Sequence, residues 1–129
     1  MSSERVATMA GTFEVSGWDS KDYEEKDGVT FAHVTLNKHY VGDLEGTSTT
    51  TLLTVTSPAG PAAYVGVERF TGTLNGQAGS GVLRHSIAEP PAIALLVPSV
   101  GEGVFAGRSG VLTIEIDAEG THHYTLVLD

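Results

Sequence analysis

The sequence contains no cysteine among its 129 residues. Disulfide frameworks and thiolate zinc sites both require cysteine, so both classes of small domain are excluded. The chain can still fold without cross-links, because a domain of this size buries about two thirds of the surface that its unfolded chain exposes. We therefore expect one domain over residues 1–129. A reducing, cytoplasmic location is compatible with the lack of cysteine.

Long apolar runs and positive charge are also scarce. The longest apolar stretch, residues 92–97, is far shorter than the roughly 20 residues of a membrane-spanning helix. The first residues lack the basic and then apolar pattern of a secretion signal. Lys and Arg total 7 against 16 Asp and Glu, and the formal net charge is −9. Because nucleic acid and anionic membranes repel such a chain, we expect neither as a partner.

Helix signals are few, whereas short runs rich in β-branched residues recur between Gly, Asn, Asp and Pro. This pattern is typical of an all-β sandwich or barrel. We predict a charged loop at residues 19–28, a helical turn at 104–106, and eight strands at 7–18, 29–41, 47–56, 62–74, 77–87, 92–97, 111–117 and 122–128. Short connections favour an eight-stranded antiparallel up-and-down (meander) barrel of lipocalin-like shape, and a two-sheet sandwich is the alternative.

The strongest turn signal is Asn75-Gly76, since both residues tolerate the positive φ of a two-residue hairpin turn. This turn sets Glu68 opposite Leu83 and places His85 diagonally from Glu68. Side chains alternate between the two faces of a strand. We predict that one face of this hairpin points into the barrel with Tyr64, Glu68, Phe70, Leu83 and His85.

Glu68 and His85 would form a polar pair in an apolar interior. Burial raises the pKa of a carboxyl group and lowers that of a histidine, while pairing acts in the opposite direction. Such a pair is a candidate for general acid–base catalysis near neutral pH. The alternative is a structural pair that only satisfies buried polar groups.

Other candidate ligand-binding residues are Phe13, His33 and Glu45, the last of which could face inward at the mouth of the barrel. A metal site built from His33, His85 and one of the later histidines is conceivable, but no ligand spacing supports it. We therefore expect no metal site. The sequence has no phosphate loop, nucleotide fingerprint or nucleophile elbow, so we expect no cofactor.

Several segments resemble a bacterial family of unknown function whose members are similar to the allene oxide cyclase barrel. They are GTFEV at 11–15, WD at 18–19, YVGDLEGTS at 40–48, VGVERFTGTLNG at 65–76, GS at 79–80, HS at 85–86, VP at 97–98 and AG at 106–107. The resemblance implies an allene-oxide-cyclase-like meander barrel with Glu45, Glu68 and His85 at motif positions. Related barrels include plant cyclases acting on a fatty-acid epoxide and bacterial cyclases that fold polyketide chains. The chain departs from the family pattern at residues 88–95 and at His39.

Three functions are compatible with these features. The first is a barrel that binds a small hydrophobic molecule, such as a lipid- or polyketide-like metabolite. The second is a cofactor-independent cyclase or isomerase that uses Glu68 and His85. The third is a structural or assembly protein with a filled barrel. A homodimer is expected only from the general frequency of such assemblies.

Overall fold

The computed structural model describes residues 7–87 and 92–129. The strands are β1 (Ala7–Lys26), β2 (Val29–Gly42), β3 (Leu44–Ser57), β4 (Gly60–Leu74), β5 (Gln77–Ile87), β6 (Ala92–Leu96), β7 (Glu102–Gly103), β8 (Gly110–Ile116) and β9 (His122–Leu128). A 3-10 turn spans Pro98–Val100. In this described part of the chain, no helix is long and apolar enough to cross a membrane. The sequence departure at residues 88–91 lies outside the described residues.

The sheet closes into a ring of eight antiparallel strands. From β1 to β6 each strand pairs with the next one along the chain, and β8 follows β6 in the ring. The ring is completed because β9 pairs with both β8 and β1. The two-residue β7 adds a short pairing to β5 outside this ring. The predicted eight-stranded meander barrel is confirmed, and the two-sheet sandwich is not formed.

The β4–β5 hairpin has the predicted turn and register. Asn75 and Gly76 have φ angles of 50° and 84°, as a two-residue turn with two left-handed positions requires. Glu68 is paired with Leu83, and Gly66 is paired with His85. The side chains of Glu68 and His85 therefore lie on the same face, as diagonal neighbours.

The prediction of a loop at residues 19–28 is wrong. β1 continues to Lys26 and pairs with β2 as far as Val29. The turn is the dipeptide Asp27–Gly28, whose φ angles are 56° and 83°. The charged residues suggested a loop, but they lie on a strand paired with β2, where their side chains are exposed. The Asp-Gly dipeptide was the signal for a two-residue hairpin turn. A turn with i→i+3 backbone hydrogen bonds is present at the predicted residues 104–106, and a separate 3-10 turn lies at Pro98–Val100.

The interior of the barrel has two different halves. At one end, large apolar side chains pack closely, and the ring of Tyr40 lies 5.5 Å from that of Phe70 and 5.4 Å from that of Tyr124. We call this end the packed half; its buried residues also include Leu44, Leu74, Leu83, Leu96, Phe105, Leu112, Leu126 and Leu128. At the other end, called the open half, the buried cluster is smaller and consists of Ala32, Val34, Leu36 and Leu52.

Candidate functional site

The open half encloses a cavity of about 810 Å³. Its wall is mainly apolar and includes Phe13, Val34, Leu52 and Tyr64. Trp18 lies at the rim, where it lines the cavity and is 62% exposed. The void in the packed half, in contrast, is only about 20 Å³. The barrel is therefore a cup that is closed at one end.

Polar side chains form the floor of this cup, at the boundary with the packed half. Lys38, Thr50 and His85 line the cavity although each is buried. Glu68 lies against them with no exposed surface and is not part of the cavity lining. We use the term floor cluster for Lys38, Tyr40, Ser48, Thr50, Glu68 and His85.

Four donors surround the carboxylate of Glu68. Oε1 accepts a hydrogen bond from Lys38 Nζ at 3.1 Å and lies 2.7 Å from His85 Nε2. Oε2 accepts hydrogen bonds from the hydroxyl groups of Tyr40 and Ser48, both at 2.6 Å. Burial of a carboxylate is costly unless it is paired and hydrogen-bonded. These contacts meet that requirement on both oxygens.

Strand periodicity and register bring the floor cluster together. Lys38 and Tyr40 are two residues apart on β2, so both point inward. Lys38 is paired with Ser48 on β3, and Thr50 is paired with Glu68 on β4. His85 on β5 is the diagonal cross-strand neighbour of Glu68. Four neighbouring strands therefore each supply at least one polar group to a single level of the barrel.

Gly66 provides room at this level. It lies opposite His85 on β5 and opposite Leu52 on β3. A Cβ atom at this position would lie 2.5 Å from Leu52 Cδ2 and would also clash with the carbonyl oxygen of Thr51. The glycine therefore allows close packing of the two strands beside the imidazole.

The protonation state of Glu68 follows from its donors. Burial is the largest single effect and by itself raises the pKa of the carboxyl group. The hydrogen bond from His85, the charges of Lys38 and His85, and the hydrogen bond from Ser48 outweigh it and lower the pKa of Glu68 to about 2. Burial, followed by the negative charge of Glu68, raises the pKa of Tyr40 well above its usual value. Glu68 is thus ionised and Tyr40 protonated at neutral pH.

The ionised state of Glu68 determines the tautomer of His85. A carboxylate has no proton to donate, so in the 2.7 Å contact Nε2 of His85 must be the donor. In neutral His85 the other ring nitrogen, Nδ1, then carries the free lone pair. Because His85 lines the cavity, this imidazole is a candidate proton acceptor for a bound molecule.

Two more polar groups at the floor have unused hydrogen-bonding capacity. Lys38 lies over the ring of Phe13, with Nζ 4.7 Å from the ring centroid, and contacts Glu68 as its one hydrogen-bond acceptor among the described residues. Thr50 is 1% exposed, and its hydroxyl has no hydrogen-bond partner in the described part of the chain. An unsatisfied buried hydroxyl costs about 1–3 kcal/mol, so it favours a ligand that can pair with it.

Comparison with known sequences identifies the family. The sequence from residue 9 to residue 128 matches a family described as "Protein of unknown function (DUF3224)". The chain belongs to the DUF3224 family. No functionally curated protein matches it. The expected membership of an uncharacterised family is confirmed.

A solved structure supports the same assignment. It is the crystal structure, at 1.84 Å resolution, of a protein of unknown function from the DUF3224 family of Shewanella oneidensis MR-1. The two chains are 26% identical, with a TM-score of 0.80, over 97% of this chain and 98% of the Shewanella chain. The likeness covers the whole barrel, including the strands that carry the floor cluster.

Several residues predicted to bind a ligand in this DUF3224 protein do not line the cavity. Phe70 and Leu83 point inward as predicted, but they lie in the packed half and contact the small void. His33 and Glu45 are exposed on the outside of the barrel, so the expectation that they face the ligand is wrong. The reason is strand alternation, since His33 lies between buried Ala32 and Val34. His33 is therefore not placed to share a metal site with His85.

Phe13 and Tyr64 do line the cavity, and Glu68 and His85 are in contact at its floor. The other members of the floor cluster were not predicted from the sequence: Lys38, Tyr40, Ser48 and Thr50. A signal for Lys38 was present, because Ala32, Val34, Leu36, Lys38 and Tyr40 form one alternating and otherwise apolar face of β2. A lysine on such a face is a candidate partner for a buried carboxylate.

Proposed function

We propose that this DUF3224 protein binds one small, mainly apolar molecule in the open half of the barrel. The observation that carries the proposal is the cavity of about 810 Å³, which has apolar walls and a polar floor. Ligand sites are typically clefts of about 300–1,000 Å³ with a few polar groups that fix orientation. A lipid- or polyketide-like metabolite has this combination of an apolar body and a few oxygen atoms.

A matched pair of substitutions tests this proposal. Leu52→Phe reduces the volume of the cavity, whereas Leu53→Phe changes the exposed outer face of the same strand. Binding of an apolar fluorescent probe, anilinonaphthalene sulfonate, is measured by titration, with Trp18 at the rim as a second reporter. We expect the Leu52 variant to bind at least about tenfold more weakly, and the Leu53 variant to bind like the original protein. Equal probe affinity in all three proteins would contradict binding in the cavity.

The second candidate function is catalysis by a cofactor-independent cyclase or isomerase. The observation in its favour is the 2.7 Å contact between Glu68 and His85 at the floor of an open cavity. In this candidate His85 exchanges protons with the bound molecule, while Glu68 orients it. An assembly protein with a filled barrel fits less well, because the open half contains space for a ligand.

A further inference from the structure

We propose that the cavity floor is an enolisation site, which binds a carbonyl compound and transfers a proton from the carbon beside its carbonyl group to Nδ1 of His85. Lys38 holds the carbonyl oxygen, and the hydroxyl of Thr50 in the same floor cluster is a second donor. This inference rests on the proposed binding function and adds to it the chemical class of the substrate. It is based on the contrast between Glu68, whose oxygens already accept four hydrogen bonds, and the other polar groups of the floor cluster that line the cavity.

Glu68 is excluded as the group that accepts the proton. Its two oxygens already accept four hydrogen bonds, and the residue does not line the cavity. It instead fixes the ring of His85 through Nε2. Glu68 is therefore a positioning residue. His85 accepts the proton through the free lone pair of Nδ1.

The oxygen of the substrate needs donors, and the floor supplies them. Lys38 and His85 contact the same oxygen of Glu68, so the ammonium group and the imidazole lie side by side. A carbonyl oxygen bound by Lys38 Nζ would bring its adjacent carbon toward the imidazole. Thr50 also lines the cavity, and its buried hydroxyl, which has no partner among the described residues, is the second donor that we assign to this oxygen. Donors aimed at a developing oxyanion are a strong source of catalysis.

The proton transfer balances in both atoms and charge. The C–H bond breaks, its electron pair forms the C=C bond of the enolate, and the π electrons of the carbonyl group move to the oxygen. The proton binds Nδ1 of His85. Negative charge thus develops beside Lys38, and positive charge develops beside Glu68. If the Nδ1 proton is first replaced by a deuteron from heavy water, return of that deuteron to the same carbon gives exchange. Delivery of a proton to a conjugated carbon gives an isomer.

A pair of isosteric probes separates binding from chemistry. The ketone p-phenylacetophenone and the alkene p-phenyl-α-methylstyrene differ only in that a CH₂ group replaces the carbonyl oxygen. Their affinities are measured by calorimetry, and exchange of the acetyl methyl protons is followed by NMR in heavy water. In the original protein we expect the ketone to bind more tightly than the alkene. We expect exchange of the ketone's methyl protons to be about a hundredfold faster in the original protein than in His85→Asn. His39→Asn, on the exposed face of β2, is the control.

Lys38→Met should reduce both the preference for the ketone and the rate of exchange. Binding of the ketone with equal exchange in the original protein and in His85→Asn would overturn the enolisation proposal alone. Failure of both probes to bind, together with equal probe affinity in the Leu52 and Leu53 variants, would overturn the binding function itself. The two failures are therefore distinguishable.

A measurement on the unaltered protein covers the case in which the variants do not fold. The phenolate form of p-phenylphenol mimics an enolate, whereas p-methylbiphenyl has the same shape without the oxygen. Groups that stabilise a transition state bind its mimics more tightly. We expect the phenol to bind at least about tenfold more tightly than the hydrocarbon. Equal affinities would overturn the proposal.

Discussion

Glu68 and His85 are in contact through Oε1 and Nε2 at 2.7 Å, on adjacent strands at the floor of the cavity. The carboxylate is fully buried and bound by four donors, whereas the imidazole reaches the cavity. The two residues of the predicted acid–base pair therefore have unequal positions. Glu68 anchors the floor cluster, and His85 faces the cavity.

The first prediction concerns the stability of the Glu68→Gln variant. A neutral amide leaves the buried Lys38 without its counter-charge, and removal of one partner from a buried ion pair costs about 3–5 kcal/mol. We expect the free energy of unfolding at pH 7 to fall by about that amount in urea titrations. The control is Glu14→Gln, on the exposed part of β1, which removes the same formal charge. It should change the free energy of unfolding by less than about 0.5 kcal/mol.

The same variant should alter the dependence of stability on pH. The pKa of Glu68 is about 2 in the folded protein against an ordinary value of 4.5. A lowered folded-state pKa stabilises the protein fully above about pH 4.5, and this contribution is lost as the pH falls toward 2. The contribution is about 3 kcal/mol. The stability of Glu68→Gln should therefore decline less steeply in this range than that of Glu14→Gln, and equal slopes would contradict the lowered pKa.

The second prediction concerns Thr50→Val. Valine has nearly the same shape as threonine but lacks the hydroxyl that has no partner among the described residues. Removal of an unsatisfied polar group is neutral or stabilising. We expect the free energy of unfolding to stay the same or rise by up to about 1 kcal/mol. Thr51→Val, which changes the exposed face of β3, is the control. A clear loss of stability at Thr50 alone would show that its hydroxyl is satisfied.

The third prediction concerns Gly66→Ala. The added methyl group would lie 2.5 Å from Leu52 Cδ2 and would clash with the backbone oxygen of Thr51. Overpacking of this kind costs about 1–3 kcal/mol, because the strands must separate. Val65→Ala and Val67→Ala, on the exposed face of the same strand, should cost less than Gly66→Ala. Thermal unfolding measures this difference, and a Gly66→Ala variant as stable as the original protein would refute the close approach of β3 and β4.

The fold could be predicted because local signals agreed with one another. Asn75-Gly76 fixed the register of β4 and β5, and strand alternation then placed Glu68 and His85 on one inner face. The full extent of β1 was missed, because charge alone does not distinguish a solvated strand from a loop. The Asp27–Gly28 dipeptide was the better guide.

The cavity could be predicted only in part. Tyr64 and Phe70 lie on the same face of β4, yet one lines the cavity and the other fills the packed half. This difference depends on the side chains that the other strands supply at each level, and alternation along one strand does not contain that information. Lys38 was missed for a related reason, since its contact with Glu68 spans the intervening strand β3.

The last prediction concerns the tautomer of His85. Because Glu68 is ionised, its 2.7 Å contact requires a proton on Nε2, and neutral His85 must then have an unprotonated Nδ1. Long-range proton–nitrogen NMR spectra distinguish the two ring nitrogens of each histidine directly. We expect the Nε2–H tautomer for neutral His85, and we expect this preference to weaken in Glu68→Gln, since the amide can either accept or donate. Exposed His39 provides a reference without such a partner among the described residues. A proton on Nδ1 of neutral His85 would remove the free lone pair on that nitrogen, and with it the proton acceptor that the proposed chemistry requires.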